Sequence, residues 1–515
     1  MRPYVIPSPF EAEGLGVRGA AGAMLLALGL GVAAALLGTW SLALLAPIFV
    51  AVCIVWPAMG VVALIVSCAL DRVAIGVGGS NVRLDEVAAL ALAGALLVRL
   101  VWTRTAHSQP LDLTGRGEHE SSPSPAPGRG GRRAACIPLL APLLAYWGTN
   151  LLSTLAAGGD VARGLSLDVI TLDLIVLYVA LAGYLSSPGR LIGAVWLWVG
   201  VAAVEAVVGA LAFALYLGRH AAGPGIQLEP VTGAPMVYGT LYEADIFGSY
   251  MSAAFLIALA LATDETVRHK TPLYIVCALG ALGLLLSGAR SAWGATVLGA
   301  VLLLALLRLG RGGRRTRLAL RFTGGLVAVA VVVGVGLAFA PSSVTQALWA
   351  RAQGLLNFGS GSGYGRVLLY KVALAEWRAH PLLGTGPGSF SYRLPGDTAP
   401  GPAWLPNLTL QVLHDTGVLG LLAMLWLCAA FYVTTVRALW RAPAGLLRTV
   451  LGGLIAAITA LLIAFQLTPG FTLGYSWALL ALGVAASSAV SAAEHTGADR
   501  ASARSDDHTL GVAEA

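Results

Sequence analysis

The sequence has few charged residues and few cysteines. Only 11% of its 515 residues are charged, whereas 57% are hydrophobic and the mean hydropathy is +0.80. Soluble domains average about 25% charged residues, so an ordinary soluble protein is excluded. The five cysteines form no Cys-x-x-Cys pair, and neither a disulfide framework nor a zinc site is predicted. No Asp-x-Asp pair occurs in the sequence, so we predict no metal and no cofactor.

Apolar runs occupy most of the chain, from about residue 20 to residue 490. Many approach the roughly 20 residues that a helix needs to cross a bilayer. We therefore predict an all-α polytopic membrane protein of about 12 to 14 transmembrane helices, with a long external loop that carries amphipathic helices. The predicted spans are residues 20–38, 41–56, 58–70, 86–102, 137–156, 169–186, 190–217, 244–263, 272–287, 291–308, 322–340, 408–435, 446–466 and 472–490.

The arginines indicate how the chain is oriented. The net charge of +7 would suit nucleic acid, but the arginines cluster in short loops between apolar runs, which is typical of cytoplasmic loops. Residues 308–321, for example, contain six arginines. Dividing one long apolar run at Pro57 places all the arginine-rich loops on the cytoplasmic side. We therefore expect a multi-pass protein of the cytoplasmic (inner) membrane with no nucleic-acid partner.

This orientation predicts an alternation of membrane and water-exposed segments. The segment at 103–136 is rich in Pro, Gly, Ser and Arg, a composition typical of disordered linkers. The predicted organisation is a cytoplasmic N-terminal segment (1–19), N-terminal transmembrane helices (20–102), a basic cytoplasmic linker (103–136), central transmembrane helices (137–340), an external loop (341–406), C-terminal transmembrane helices (407–490) and a cytoplasmic tail (491–515).

The external loop contains an amphipathic stretch, GRVLLYKVALAEWRAHPLLGTGPGSF. It predicts a helix over residues 366–379 that ends before Pro381. Arg366, Tyr370 and Trp377 are spaced to share one face of that helix. One interpretation is a lid helix that lies on the membrane surface. The GTGPG segment lacks the lysine of a phosphate-binding loop, which argues against a nucleotide site.

Further polar residues stand at the external ends of predicted spans. Arg290 stands between two apolar runs. Its guanidinium group is expected either to snorkel to the lipid headgroups or to bind an anion. Two guanidinium groups, Arg290 and Arg366, would suit a diphosphate. Glu243 and Asp245 begin another span, either as helix caps or as functional groups.

Polar residues also lie within predicted spans. In LPNLTLQVLHDTGVLG, the residues Asn407, Gln411, His414 and Asp415 recur at helical spacing, so they should face protein or water and not lipid. This stripe is explained either by helix-to-helix hydrogen bonding or by a site. Asp173 and Glu205 lie deeper in their spans and would suit a proton pathway, which keeps a transporter as the alternative class.

An ordered set of motifs resembles the O-antigen ligase and polysaccharide polymerase superfamily. NLTLQVLHDTGVLG resembles its Asn-x-x-Leu-Gln signature with a following acidic residue and two spaced glycines. Upstream, GTLYEADIFG, SGARSAW and RVLLYKVALAEWRAHPLLGTGPGSF resemble further family motifs in the family's order. The resemblance extends over roughly residues 239–420.

The resemblance implies a metal-independent, inverting glycosyltransferase with its active site outside the cytoplasmic membrane. Its partners would be a polyprenyl diphosphate-linked glycan, a lipid or glycan acceptor and the lipid bilayer. It implies that Arg290 and Arg366 hold the diphosphate, and that Asn407 and Gln411 orient the acceptor or the catalytic loop. Tyr370, Glu243 and Asp245 are the further predicted substrate-binding residues. Ligase, polymerase and protein-glycosylating activities, which differ in the acceptor, all stay open.

One residue departs from the family pattern. The family has a histidine before the signature asparagine, proposed as the base, but Pro406 stands there and has no side chain that can take a proton. We predict that His414 or Asp415 replaces it, with Asn407 as the third catalytic candidate and His380 as a less favoured base. The alternatives are a mechanism without a strong base, or a transporter or glycolipid-binding protein on the same scaffold.

Overall fold

A computed structural model of the chain defines the architecture. It describes residues 49–70, 74–77, 80–106, 137–157, 160–219, 221–229, 233–308, 342, 345–346, 349, 361–392, 401–402 and 404–510. The predicted spans at 20–38 and 322–340 and most of the predicted linker lie outside these residues.

Pro57 divides the first described apolar run into two helices. Residues 49–55 are helical, Trp56 leaves the helical backbone with φ −130° and ψ 84°, and a new helix begins at Pro57. Proline disfavours the helical conformation in the residue before it and lacks the N–H that a helix interior requires. The predicted division of this run is therefore confirmed. The elements that follow are α1 (Pro57–Ser67), the antiparallel strands β1 (Ala74–Val77) and β2 (Ser80–Arg83), and α2 (Leu84–Ala106).

The central part of the chain consists of long apolar helices with one short hairpin. Its elements are α3 (Leu140–Ala156), α4 (Val161–Tyr184), α5 (Pro188–Arg219), the antiparallel strands β3 (Ile226–Leu228) and β4 (Pro235–Val237), α6 (Ala244–Thr263), α7 (Thr271–Leu286) and α8 (Arg290–Arg308).

The C-terminal part begins with the helix predicted in the external loop. Its elements are α9 (Gly361–Ala379), the antiparallel strands β5 (Ser391–Tyr392) and β6 (Gly401–Pro402), α10 (Leu408–Arg441), α11 (Leu446–Ala464) and α12 (Gly474–Leu510).

Seven of the described helices are long and apolar enough to cross a membrane: α4, α5, α6, α8, α10, α11 and the first part of α12. The helices α1 and α7 are also apolar but shorter. The three described hairpins have strands of only two to four residues. The predicted all-α polytopic membrane class is therefore confirmed.

Helix α6 lies at the centre of the packed helices. All of its residues except Asp245 are buried, and it packs against α11, α7 and α8. Small residues permit this close approach, since a Cβ atom added at Gly453 of α11 would lie 2.8 Å from the Cβ atom of Ala260. A helix surrounded in this way is a rigid support for the polar residues at its beginning, Glu243 and Asp245.

Two helices extend furthest beyond the predicted spans. Helix α4 begins at Val161 and not near residue 169, and α12 continues to Leu510 and not only to residue 490. Hydropathy marks where a helix leaves the apolar part of the bilayer, not where its backbone hydrogen bonds end. The added segments contain Ala, Arg and Leu, which favour helix even in water.

Helix α9 packs on protein through its apolar face. Ala373 is fully buried with Phe390 and Leu405 in a small separate core, and α9 contacts the beginning of α10. The two aromatic residues on the predicted face of this helix make contacts within the protein. The Tyr370 hydroxyl donates to the Pro406 carbonyl, and the Trp377 indole N–H donates to the Pro381 carbonyl. These contacts hold α9 against α10 and the segments next to it.

Candidate functional site

The helix α10 is interrupted two residues after its polar stripe. Gly417 has φ 66° and ψ −163°, which is not helical. The backbone N–H groups of Val418 and Leu419 donate to the carbonyls of Pro381 and Leu382. A Cβ atom added at Gly417 would lie 2.2 Å from the Leu382 carbonyl oxygen. Only glycine tolerates both this conformation and this approach. The break in α10 therefore allows its backbone to contact the turn after α9.

The glycine-rich turn after α9 binds the carbonyl groups next to this break. The N–H groups of Thr385 and Gly386 donate to the carbonyls of His414 and Asp415, at 2.9 and 3.0 Å. Gly384 has φ 70°, and a Cβ atom there would lie 2.4 Å from the His414 carbonyl oxygen. These backbone donors therefore hold the two predicted catalytic residues in place.

His414 lies between two carboxylates. Its Nδ1 is 2.7 Å from Oδ1 of Asp415, and its Nε2 is 2.8 Å from Oε2 of Glu376. The imidazole is fully buried, the Glu376 side chain is 41% exposed, and the Thr385 hydroxyl lies 3.2 Å from both ring nitrogens. The edge of the ring packs against Phe390. We call Glu376, His414 and Asp415 the His414 cluster. A neutral imidazole donates to one of the two carboxylates and a protonated one donates to both, so this arrangement can hold and move a proton.

Asp415 is fixed from two further sides. Its backbone carbonyl accepts a hydrogen bond from the Ser153 hydroxyl at 2.6 Å, which attaches it to α3. Its second carboxylate oxygen, Oδ2, lies 3.4 Å from the N–H of Gly388. The carboxylate is consequently oriented by α3, α10 and the glycine-rich turn together.

At the other end of α9, Arg366 approaches the beginning of α6. One guanidinium nitrogen lies 3.6 Å from Oδ2 of Asp245, and the two side chains are 22% and 26% exposed. Glu243 occupies the N-cap position of α6, but its side chain makes no capping hydrogen bond. Burial and, secondarily, the Asp245 carboxylate raise the pKa of Glu243 to about 7, while the Arg366 guanidinium opposes the shift. We call Glu243, Asp245 and Arg366 the Arg366 cluster.

Arg290 begins α8 at the same end of α6. A Cβ atom added at Gly248 of α6 would lie 2.6 Å from the Cβ atom of Ala289 and 2.7 Å from the Ser287 hydroxyl. The turn before Arg290 therefore packs on the first turns of α6, where Asp245 also lies. The four charged residues predicted from separate motifs, Arg290, Arg366, Glu243 and Asp245, are thus grouped around one helix end.

Tyr370 and Asn407 join α9 to α10 between the two clusters. The Tyr370 hydroxyl donates to the Pro406 carbonyl at 2.8 Å, and Asn407 caps α10 by accepting from the Leu410 N–H at 2.8 Å. Burial raises the pKa of Tyr370, against the opposing effects of Arg366 and of a hydrogen bond with Asn407. Its hydroxyl therefore keeps its proton at neutral pH and remains a donor.

Comparison with known families identifies part of the chain. Residues 275–425 match the family model of the O-antigen ligase. This segment is therefore similar to the O-antigen ligase family. The predicted resemblance is therefore confirmed, and it supports a glycosyltransferase of the O-antigen ligase and polymerase type. No significant match to a curated protein was found.

The segment that matches the O-antigen ligase model includes most, but not all, of the grouped residues. Arg290, Arg366 and all three members of the His414 cluster lie within the match. Glu243 and Asp245 precede it, although the predicted resemblance began at about residue 239. The acidic half of the Arg366 cluster is therefore supplied by a helix outside the matched segment.

Residues of the matched segment, among them Asp415, line a cavity. It has a volume of about 580 Å³, including open solvent. Gln411 and Asp415 line it, whereas the ring of His414 contacts Glu376 of α9. The predicted polar stripe is thus divided between this cavity, the contact with α9 and the cap formed by Asn407. The main lining residues are Tyr146, Asn150, Leu167, Thr171, Pro387, Trp404, Gln411, Asp415, Thr468 and Phe471.

Three predicted residues have other surroundings. Both carboxylate oxygens of Glu205 accept hydrogen bonds from Thr240, one from its N–H at 2.7 Å and one from its hydroxyl at 2.8 Å, so this carboxyl holds the turn before α6. Neither carboxylate oxygen of Asp173 has a hydrogen-bond partner among the described residues. His380 is exposed at the end of α9.

Glu376 is the site residue that the sequence interpretation missed. It lies ten residues after Arg366 and three after the buried Ala373, so helical spacing places it near the face that packs on α10. That spacing could have identified Glu376 as a residue on the face of α9 that packs on protein. The partner of Glu376 was not visible, because His414 is 38 residues away in sequence.

Proposed function

We propose that the protein is a glycosyltransferase that transfers a glycan from a polyprenyl diphosphate carrier to an acceptor hydroxyl on the external face of the cytoplasmic membrane. The observation that carries the proposal is the contact of α9 with α10. It places a partly exposed guanidinium, Arg366, at one end of a helix and the proton-holding His414 cluster at the other end. The O-antigen ligase match and the arginine-rich loops on the opposite side of the predicted topology support the same function.

The Arg366 cluster is the proposed diphosphate site. Guanidinium groups bind phosphate oxygens through paired N–H donors, and they retain their charge at all relevant pH values. Because the Arg366 to Asp245 pair is partly exposed, a diphosphate can replace the carboxylate as the partner of Arg366. Negative charge accumulates on the diphosphate as it leaves, and positively charged donors positioned beforehand stabilise that charge. Arg290, grouped at the same helix end, is the proposed second donor.

The proposed reaction is a single displacement. The acceptor oxygen attacks the anomeric carbon from the side opposite the diphosphate, and the bond between that carbon and the diphosphate oxygen breaks. The diphosphate leaves with the bonding electron pair, while the hydroxyl proton passes to a carboxylate of the His414 cluster. Attack from the opposite side inverts the anomeric configuration. Since arginine supplies the positive charge, we expect the reaction to proceed in the presence of EDTA.

The spacing of the two clusters suits this reaction. Arg366 and Glu376 are ten residues apart on α9, which corresponds to about 15 Å along the helix axis. A diphosphate with its attached sugar ring covers much of this distance. Tyr370 and Asn407 lie between the clusters, so we propose that they line the region where the anomeric carbon is held.

Asp173 favours a second candidate function. Its carboxyl group lies within a predicted span without a hydrogen-bond partner among the described residues, and such groups are typical of proton pathways. A transporter of carrier-linked glycans, or a glycolipid-binding protein, is therefore the alternative. Unlike the transferase, it would move or bind the glycolipid without breaking the bond to the diphosphate.

The test measures release of polyprenyl diphosphate from a carrier-linked glycan by protein in liposomes that contain EDTA. We expect release by the wild type and a loss of at least about 100-fold in Arg366→Ala and Glu376→Gln. Arg378→Ala is the matched control, because Arg378 is an exposed cation on the same helix. Transbilayer movement of an intact glycolipid without any release would instead support the transporter.

A further inference from the structure

The cavity beside Asp415 has walls of mixed chemistry. The Trp404 indole, 43% exposed, and the rings of Tyr146 and Phe471 provide aromatic surface, while Asn150, Gln411, Thr171 and Thr468 provide amides and hydroxyls. The side-chain amide of Gln411 makes no hydrogen bond to any other described residue. A sugar ring presents apolar C–H faces and a polar rim of hydroxyl groups, so aromatic faces and amides together match it.

A second cavity shows that this mixture is not general in the protein. It has a volume of about 450 Å³, including open solvent, and lies between α10, α11 and α12. Its walls are almost entirely apolar, with Leu427, Phe431, Ile458 and Leu461 among the lining residues. Such a wall suits acyl or prenyl chains and offers little to a hydroxylated ring. The first cavity is therefore distinguished by its chemistry as well as by its contact with Asp415.

We propose that the cavity beside Asp415 binds the sugar that carries the acceptor hydroxyl. The proposal rests on the proposed glycosyltransferase function and adds the chemical class of the acceptor, a glycoside, and its location. The donor diphosphate would lie at the Arg366 cluster. The two substrates then approach from different sides and meet between α9 and α10.

This location assigns a direction to the proton. Asp415 lies in the cavity wall, and its carboxylate contacts Nδ1 of His414. Nε2 of His414 contacts Glu376, which is partly exposed to solvent. The acceptor hydroxyl gives its proton to the Asp415 carboxylate as its oxygen bonds to the anomeric carbon. His414 then takes this proton at Nδ1 and gives the proton on Nε2 to Glu376, which releases it to water. No further reactant is required.

The test uses protein in lipid nanodiscs, free of glycoside detergents. The probes are hexyl β-glycosides of glucose, galactose, mannose, N-acetylglucosamine and rhamnose. Binding of each probe is measured directly, and transfer is followed as probe-dependent release of polyprenyl diphosphate. We expect the wild type to bind at least one probe, and Trp404→Ala to raise its Kd and acceptor KM about tenfold while the donor KM stays unchanged.

Two further variants keep the test decisive. Gln411→Met removes the unpartnered amide at nearly constant volume and should also weaken probe binding. Trp426→Ala removes a tryptophan of similar exposure, 50%, that lies on α10 and does not line the cavity. This variant should bind the probes like the wild type. Failure of the wild type to bind any probe, or equal binding by the wild type, Trp404→Ala and Gln411→Met, would overturn the proposed sugar site.

Failure of this site and failure of the transferase give different results. Probe binding that depends on Trp404, without release of polyprenyl diphosphate under any condition, would retain the sugar site and contradict the glycosyltransferase. Release of polyprenyl diphosphate that no probe accelerates, with no binding of the probes, would retain the glycosyltransferase and contradict the sugar site.

Discussion

The two ends of α9 have similar chemical groups in different surroundings. Each cluster combines one basic side chain with two carboxylates: Arg366 with Asp245 and Glu243, and His414 with Asp415 and Glu376. The Arg366 side chain is 22% exposed and lies 3.6 Å from its carboxylate partner. The imidazole of His414 is fully buried and lies within 2.8 Å of both of its partners.

Burial explains why these clusters suit different tasks. A partly exposed ion pair at this distance contributes little to stability, so a guanidinium can exchange its carboxylate for an anion from solution. Short hydrogen bonds in a buried site are stronger and keep their geometry. His414 and Asp415 are therefore held as partners, while the more exposed Glu376 can exchange protons with water. In the proposed function, the accessibility of the basic side chain, more than its residue type, separates the anion site from the proton-transfer site on the same helix.

The largest effect is expected from His414→Ala. The change leaves two carboxylates facing each other without the group that links them, so kcat should fall by about 100- to 10,000-fold. Because the Arg366 cluster is untouched, the affinity for the carrier-linked glycan should stay within about threefold of the wild type. Single-turnover release and binding of the donor measure the two quantities. A parallel loss of donor affinity would contradict the proposal that the Arg366 cluster binds the donor and the His414 cluster only transfers the proton.

The next largest effect is expected from Arg366→Lys. An ammonium group keeps the charge but cannot donate two parallel hydrogen bonds to phosphate oxygens, so kcat/KM for the donor should fall about 100-fold. Arg378→Lys, an exposed site on the same helix, is the matched control and should match the wild type. Full activity in Arg366→Lys would remove Arg366 from the diphosphate site.

A smaller effect is expected from pH, acting through Glu243. Its pKa of about 7 means that the carboxyl is mostly protonated at pH 6 and mostly ionised at pH 8. Ionisation adds a negative charge next to Arg366 that competes with the diphosphate, so the donor KM should rise by up to about tenfold over this range. Glu243→Gln should remove most of this rise. A rise of the same size in Glu243→Gln would assign the pH dependence to another group.

The same pKa shift predicts a change in folding stability. Because the pKa of Glu243 is raised, the folded protein binds this proton more tightly than the unfolded chain does. Stability should therefore decrease as pH rises from about 4.5 to about 7 and level off above that value. Thermal unfolding of the wild type and Glu243→Gln at pH 5 and pH 8 measures this. We expect a smaller pH difference in the variant.

The smallest effect is expected from Pro406→His. The Pro406 carbonyl accepts the Tyr370 hydroxyl, and this backbone contact can survive the change. The new imidazole would stand where the family resemblance implies a base, near the end of α9 that carries Arg366. We expect turnover to rise by less than about tenfold, and to rise more in a Glu376→Gln background. A folded protein without any gain would indicate that the proton is handled at the His414 cluster alone.

Much of the fold was predictable because bilayer and water select different residues. The apolar run at residues 244–263 coincides with α6, and the break at Pro57 follows from the chemistry of proline. Helix ends in water, as in α4 and α12, were not predictable from hydropathy. The glycine-rich turn was recognised as a turn, but its contact with the carbonyls of His414 and Asp415 was not, since contacts between distant segments leave no local pattern.

The sequence by itself determined the membrane class, the order of the O-antigen ligase motifs and the individual candidates Arg366, His414 and Asp415. These depend on composition, periodicity and residue type, which are local properties. Only the tertiary structure decided that Glu376 lies against His414, that Arg366 lies against Asp245, and that Asp415 borders a cavity. The reason is physical: these relations depend on how α9 packs on α10 and on α6, and a one-dimensional pattern does not contain the distances between helices.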